Sequence, residues 1–129
     1  MSTKREIIPS PKQIPEGASG SRALMVRGGS FLFVSGLTAT DLESDQRVQG
    51  TTAAETMQIL TNLKQMLEAA GSSLDKVVKV NVLLHSMLEA PNMNEVFARF
   101  FADPPPARTV CGAHLPDGVK VMIECTALA

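Results

Sequence analysis

A chain of 129 residues that is 44% hydrophobic and 19% charged has the make-up of one folded domain with a sizeable core, and its composition argues against an intrinsically disordered chain. Its formal net charge of −1 supplies no field for a polyanion, and five Phe with no Tyr or Trp leave few platforms for stacking bases, so nucleic acid is not an expected partner. No apolar run approaches membrane-spanning length and no signal-type apolar core follows Met1, so Cys111 and Cys125 are expected as reduced thiols in a cytoplasmic protein without a membrane partner.

In chain order, Arg5 to Ile8 reads as a short strand, stopped by Pro9 and Pro11. A polar loop follows to Ser21. Ala23 to Arg27 and Phe31 to Ser35 read as a hairpin around Gly28-Gly29-Ser30. Gly36 to Gly50 reads as a second loop, acidic at Asp41, Glu43 and Asp45. Thr52 and Glu55 have capping-box spacing before a one-sided stripe of Ile59, Leu60, Leu63, Met66, Leu67 and Ala70, which predicts a helix closed by Gly71. Val78, Val80, Val82 and Leu84 alternate as a strand buried on at least one face. Asn92 and Glu95 repeat the capping spacing ahead of Met93, Val96, Phe97, Phe100 and Phe101, and Pro104 ends that helix. Ala107 to Ala113 and Val119 to Ala127 are the closing strands. The order is β-β-β-α-β-α-β-β in one domain over residues 1–129, an α+β chain whose helices cover one sheet face and leave the other for a partner.

The chemistry gathers in the last quarter. Pro104, Pro105 and Pro106 stiffen the backbone ahead of Arg108, and an arginine so held suits bidentate capture of a carboxylate. The bland role for the same residue is pairing with a neighbouring acid or with strand carbonyls. His114, just before the Leu115-Pro116-Asp117-Gly118 turn, carries an imidazole, a group suited to proton transfer. Cys111 reads as a small hydrophobe or a reactive thiol. His85, His114, Cys111 and Cys125 lack zinc-ligand spacing, and no phosphate-loop or dinucleotide motif occurs, so no metal or cofactor is expected.

The run Pro105-Pro106-Ala107-Arg108-Thr109, then Leu115-Pro116, then Val121-Met122-Ile123-Glu124 resembles the signature of the reactive intermediate deaminase family (RidA/YjgF). Leu32 to Gly36, Leu67 to Gly71 and Met93-Asn94-Glu95-Val96-Phe97 resemble further motifs of that family in the same order. The resemblance implies a chorismate mutase-like sheet with two helices on one face, assembled as a homotrimer with ligand clefts between subunits. It implies a hydrolytic deaminase of enamine or imine intermediates, with Arg108 holding the substrate carboxylate and Ser35 and Gly36 lying along the cleft.

Three departures bear on that inheritance. Met122 stands where the family has a glutamate that positions water; a carboxylate can accept and return a proton, and a thioether cannot. On an extended strand Glu124 shares the Met122 face, roughly 6.6 Å further along, so it is the nearest replacement. The stretch from Arg108 to Pro116 is one residue shorter than usual, which re-aims Thr109, Cys111 and His114. Arg22 occupies the place of a cleft tyrosine. The catalytic candidates are therefore Arg108, Glu124 and His114, and the substrate-binding candidates are Arg108, Ser35, Gly36, Arg22, Met122 and Cys111. The partner is a small carboxylate-bearing metabolite. Two readings stand: a deaminase, or a catalytically reduced or re-specialised relative that binds a small anionic metabolite.

Overall fold

The computed structural model describes residues 5–7, 24–26, 28–101 and 104–129. Its elements are β1 (Arg5–Ile7), β2 (Leu24–Val26), β3 (Phe31–Leu37), β4 (Thr40–Asp41), β5 (Gln46–Arg47), α1 (Thr52–Ala69), β6 (Val77–Leu84), α2 (Ala90–Phe100), β7 (Ala107–Gly112) and β8 (Val121–Leu128). The main sheet has the order β3-β8-β6-β7. β3 and β6 flank β8 antiparallel, and β6 pairs β7 in parallel. A parallel neighbour needs a crossover, and α2 supplies it. The α+β architecture with two helices on one sheet face is as expected.

Alternation along the strands decides what the helices cover. Val80, Val82 and Leu84 of β6 and Val121, Ile123, Cys125 and Ala127 of β8 are buried. They meet Ile59, Leu60, Leu63 and Leu67 of α1 and Met93 and Phe97 of α2 in one cluster. Full burial of each such aliphatic side chain contributes about 1.5–3 kcal/mol. Lys79, Asn81 and Leu83 of β6 lie opposite Thr126, Glu124 and Met122 of β8 on the other face, which neither helix covers.

Several local expectations are corrected. The N-cap of α1 is Thr51, whose hydroxyl accepts the Ala54 amide at 3.1 Å, so Thr52 and Glu55 form no capping box. Glu55, 2% exposed, instead accepts the Lys120 amide at 3.0 Å and the Gly50 amide at 3.4 Å, and pairs with Lys120 Nζ at 3.6 Å. It ties the start of α1 to the residue before β8, where a buried carboxylate is satisfied by backbone donors. Met66 leaves the stripe and is 40% exposed. Gly71 does close the helix at φ 83°, and Ser72 N–H reaches Leu67 O at 2.8 Å.

The second helix starts earlier than its capping spacing suggests, because Pro91 fits the first turn and Glu95 pairs with Arg99 instead. The predicted hairpin of the second and third strands does not form among the described residues: β2 pairs with β1, and β3 with β8. Ile8, Ala23 and Arg27 lie outside the described residues. The predicted loop 36–50 contains the small β4–β5 hairpin, and β3 runs on to Leu37. No helix of the described residues is long and apolar enough to cross a membrane.

Candidate functional site

Arg108 lies on the helix-covered side of the edge strand. Parallel pairing sets Arg108 beside Val80 and Val110 beside Val82, so they share the buried face, while Thr109 and Cys111 turn to the open one. Three features orient its half-buried guanidinium. Nη1 donates to Asn94 Oδ1 at 2.7 Å and approaches Met93 Sδ at 3.7 Å, and the group sits 4.7 Å from the Phe97 ring centroid. Phe97 is itself stacked on Phe101 at 4.4 Å. A guanidinium over an aromatic face is attracted by the ring quadrupole. Burial lowers the Arg108 pKa below its ordinary value, and a guanidinium keeps its charge in proteins. Among the described residues no carboxylate forms an ion pair with it. The result is an oriented cation with one donor used by Asn94 and others to spare.

The remaining candidates lie elsewhere. Met122 stands on the open face beside Leu83, and its thioether rests on Gly36: a β-carbon there would meet Met122 Sδ at 2.7 Å and Cγ at 3.0 Å. Ser35 and Gly36 form a bulge, because pairing passes from Val34↔Cys125 to Leu37↔Ile123. The glycine therefore admits a side chain onto the backbone rather than merely opening a loop. Glu124 is exposed on that face and accepts Asn81 Nδ2 at 2.9 Å. Cys111 is also exposed there, level with Leu83. Cys125 faces the core, where burial pushes its thiol up to about 11, so it is an inert apolar group. His114 is exposed beyond the end of β7, which runs on for roughly 13 Å past Arg108. It borders a cavity with His85, Asp117 and Lys120. Arg22 lies outside the described residues.

One chain thus brings together Ser35, Gly36, Met122 and Glu124, and separately Arg108 with α2. Within a single chain Met122 and Arg108 point to opposite faces of the sheet, and β6 lies between their strands. Asn94 joins the site only through the fold. Its signal was a polar residue between Met93 and Phe97 on a stripe otherwise buried, in the turn that faces Arg108. Among the described residues no group of three or more His, Cys, Asp or Glu side chains can hold a metal ion.

Residues 17–129 match the family model described as endoribonuclease L-PSP. The chain is 35% identical to 2-iminobutanoate/2-iminopropanoate deaminase of Dermatophagoides farinae, over 96% of this chain and 95% of that one. It is 31% identical to the chloroplastic Reactive Intermediate Deaminase A of Arabidopsis thaliana, over 98% of this chain and 67% of the relative. Among solved structures, RidA of an Antarctic Psychrobacter superposes with a TM-score of 0.73 at 33% identity, over 96% of this chain and 99% of that one. A Rid family protein of Yersinia pestis superposes with a TM-score of 0.82 at 25% identity, covering 97% and 98% of the two chains.

Proposed function

The chain belongs to the endoribonuclease L-PSP family, which includes the reactive intermediate deaminases, and from that premise we propose that it is a hydrolytic deaminase of imines or enamines bearing a carboxylate. The observation that carries this reading is Arg108: a half-buried guanidinium, backed by Phe97 and steered by Asn94, with no acidic partner among the described residues. Such a group is arranged for an anion from outside the chain. A planar carboxylate takes two parallel N–H donors from it, which fixes the adjacent imine carbon. Water then adds to that carbon; the C–O bond forms, the C–N bond breaks, the water's protons pass to nitrogen, and ammonia leaves a 2-oxo acid. The cleft lies between copies of a homotrimer, because the open-face residues of one chain reach the Arg108 side only from a neighbour. In it Ser35, Gly36 and Met122 line the substrate, and Glu124 is the carboxylate nearest to Met122. His114, at the far end of β7, is the weaker candidate for proton transfer. Arg22 is proposed as a second cation toward the substrate, from its sequence position alone.

A specific observation also favours the binding reading: the thioether of Met122, seated on Gly36, can neither accept nor return a proton. The test is ammonia release from 2-aminoacrylate generated in situ, with calorimetric binding of 2-oxobutanoate alongside. Wild type is expected to release ammonia above the uncatalysed rate, and Arg108→Lys to lose both release and binding by about tenfold or more, since a point charge cannot reproduce the fork. Binding without release identifies the metabolite binder. Unchanged binding in Arg108→Lys, with lowered thermal stability, makes Arg108 structural and sinks both readings.

A further inference from the structure

Glu55 is a carboxylate enclosed at the start of α1, and its two oxygens reach two segments far apart in the chain. Oε1 accepts the Lys120 amide at 3.0 Å; Oε2 accepts the Gly50 amide at 3.4 Å and lies 3.6 Å from Lys120 Nζ. The Lys120 carbonyl accepts the His85 amide at 3.0 Å, so the backbone of residue 120 is held from both sides. Further polar bonds tie down the same two segments. Asn62 Nδ2 of α1 donates to Thr40 O at 2.6 Å, and Arg47 Nη1 donates to Asp117 O at 3.0 Å. Gln49 packs against Gly118, where a β-carbon would meet its Nε2 at 2.6 Å. Side chains that bond to backbone thus brace α1, the β4–β5 hairpin and the turn before β8 against one another.

The braced segments lead to the candidate site. Gly50 closes the segment that leaves the Ser35-Gly36 bulge, and Lys120 stands two residues before Met122, whose thioether rests on Gly36. Stability alone does not call for a carboxylate here, since a well-packed apolar side chain of similar volume often serves a core as well as a buried ion pair does. An apolar side chain cannot accept backbone N–H groups, and so cannot fix where these two segments lie. We propose that Glu55 is a positioning residue: by bonding the Lys120 and Gly50 amides it sets the place of the first residues of β8, and with them Met122 and Glu124, against the Gly36 bulge. The proposal rests on the deaminase reading only for the reaction those residues serve. Arg108 lies outside the brace, because Asn94, Met93 and Phe97 of α2 orient its guanidinium. Glu55 therefore governs turnover rather than capture of the carboxylate, and a misplacement of about 1 Å can cost about a hundredfold in rate.

Glu55→Gln and Glu55→Met on the full chain are a matched pair: the side chains are similar in length, but only Gln keeps an oxygen for the Lys120 amide. Three quantities are read where circular dichroism shows both variants folded: ammonia release from 2-aminoacrylate generated in situ, calorimetric binding of 2-oxobutanoate, and amide exchange of peptides spanning 119–123. Glu55→Met should lower kcat by about tenfold to a hundredfold while binding stays within about twofold of wild type. Exchange across 119–123 should quicken by about tenfold in that variant. Glu55→Gln should stay within about threefold of wild type in all three. Should Glu55→Met fail to fold, Glu55→Asp carries the test: one methylene shorter, it cannot span both amides, and kcat should fall by about tenfold. Wild-type turnover and exchange in folded Glu55→Met, or in Glu55→Asp where it stands in, overturns the proposal. Binding lost in step with kcat, or Gln no better than Met, does so too. A wild type that releases no ammonia overturns the deaminase reading instead, and the exchange comparison of Met with Gln then decides the positioning role by itself.

Discussion

The two faces of the four-stranded sheet are built by alternate residues of the same strands, and they meet opposite fates. Val80, Val82, Val121 and Ile123 face α1 and α2 and are almost wholly buried. One position along, Asn81, Leu83, Met122 and Glu124 face away from both helices, with Phe33 still 80% exposed among them. The covered face is finished within the chain, and its odd member is Arg108, where the core gives way to the sheet edge and a cation lies over an aromatic ring. The open face is unfinished: it carries a bulge, a thioether on glycine and charges bonded only to neutral neighbours. Burial is concentrated on the first face, and the proposed site needs a piece of each.

The largest expected effect tests whether the open face takes part in the chemistry. Met122→Glu adds a carboxylate beside Gly36, and a positioned general base typically contributes about 10²–10⁴-fold in rate. Ammonia release from 2-aminoacrylate should rise toward that range. If wild type is already fast and the variant slower, Glu124 is the first group to examine, by Glu124→Gln.

Next comes a matched pair of truncations. Phe97→Ala removes a fully buried ring from the covered face and should cost about 3–5 kcal/mol in urea unfolding. Phe33→Ala on the open face should change the stability of the dissociated chain by less than about 0.5 kcal/mol, and shift only its self-association. Similar losses in both would mean that the faces do not divide the work.

Asn94→Ala probes the edge where the faces meet. Loss of its 2.7 Å bond to the charged Arg108 should weaken 2-oxobutanoate binding by roughly 1.5–3 kcal/mol in calorimetry. Unchanged affinity would show that Phe97 alone orients the guanidinium. The smallest effect is expected at Gly36→Ala. The new β-carbon meets the flexible end of Met122 rather than backbone, so Met122 swings aside at a cost of about 1 kcal/mol in thermal unfolding. A much larger loss would show that the Met122 rotamer is locked by the sheet.

Much of the fold was legible because period and punctuation carried it. The stripe of Ile59, Leu60, Leu63 and Leu67 and the alternation from Val80 to Leu84 each matched one geometry, whereas a bulge puts Val77 rather than Val78 in the core; Gly71 and Pro104 marked where the helices stop. Capping is not legible in the spacing, which cannot say whether Glu55 turns back to its own helix or out to Lys120, a partner 65 residues away. Adjacent strands with a glycine-rich turn usually pair as a hairpin, whereas here β2 pairs with β1 and β3 finds β8. Arg108 was visible as a candidate from its prolines, but Asn94 was not, since its role comes from a contact between a helix and an edge strand.

By itself the sequence determined the α+β class, the apolar stripes, and the alternation that puts Met122 and Glu124 on one face, and it singled out Arg108 as the candidate for the proposed carboxylate contact. These are local properties: a side chain's face follows from its place along a strand or helix. Only the tertiary structure decided that β6 and β7 run parallel, that this register sends Arg108 under α2 rather than toward Met122, and that the bulge at Ser35-Gly36 receives the thioether. Register between distant strands depends on which neighbours the whole core can bury at once, and a one-residue slip reverses every face.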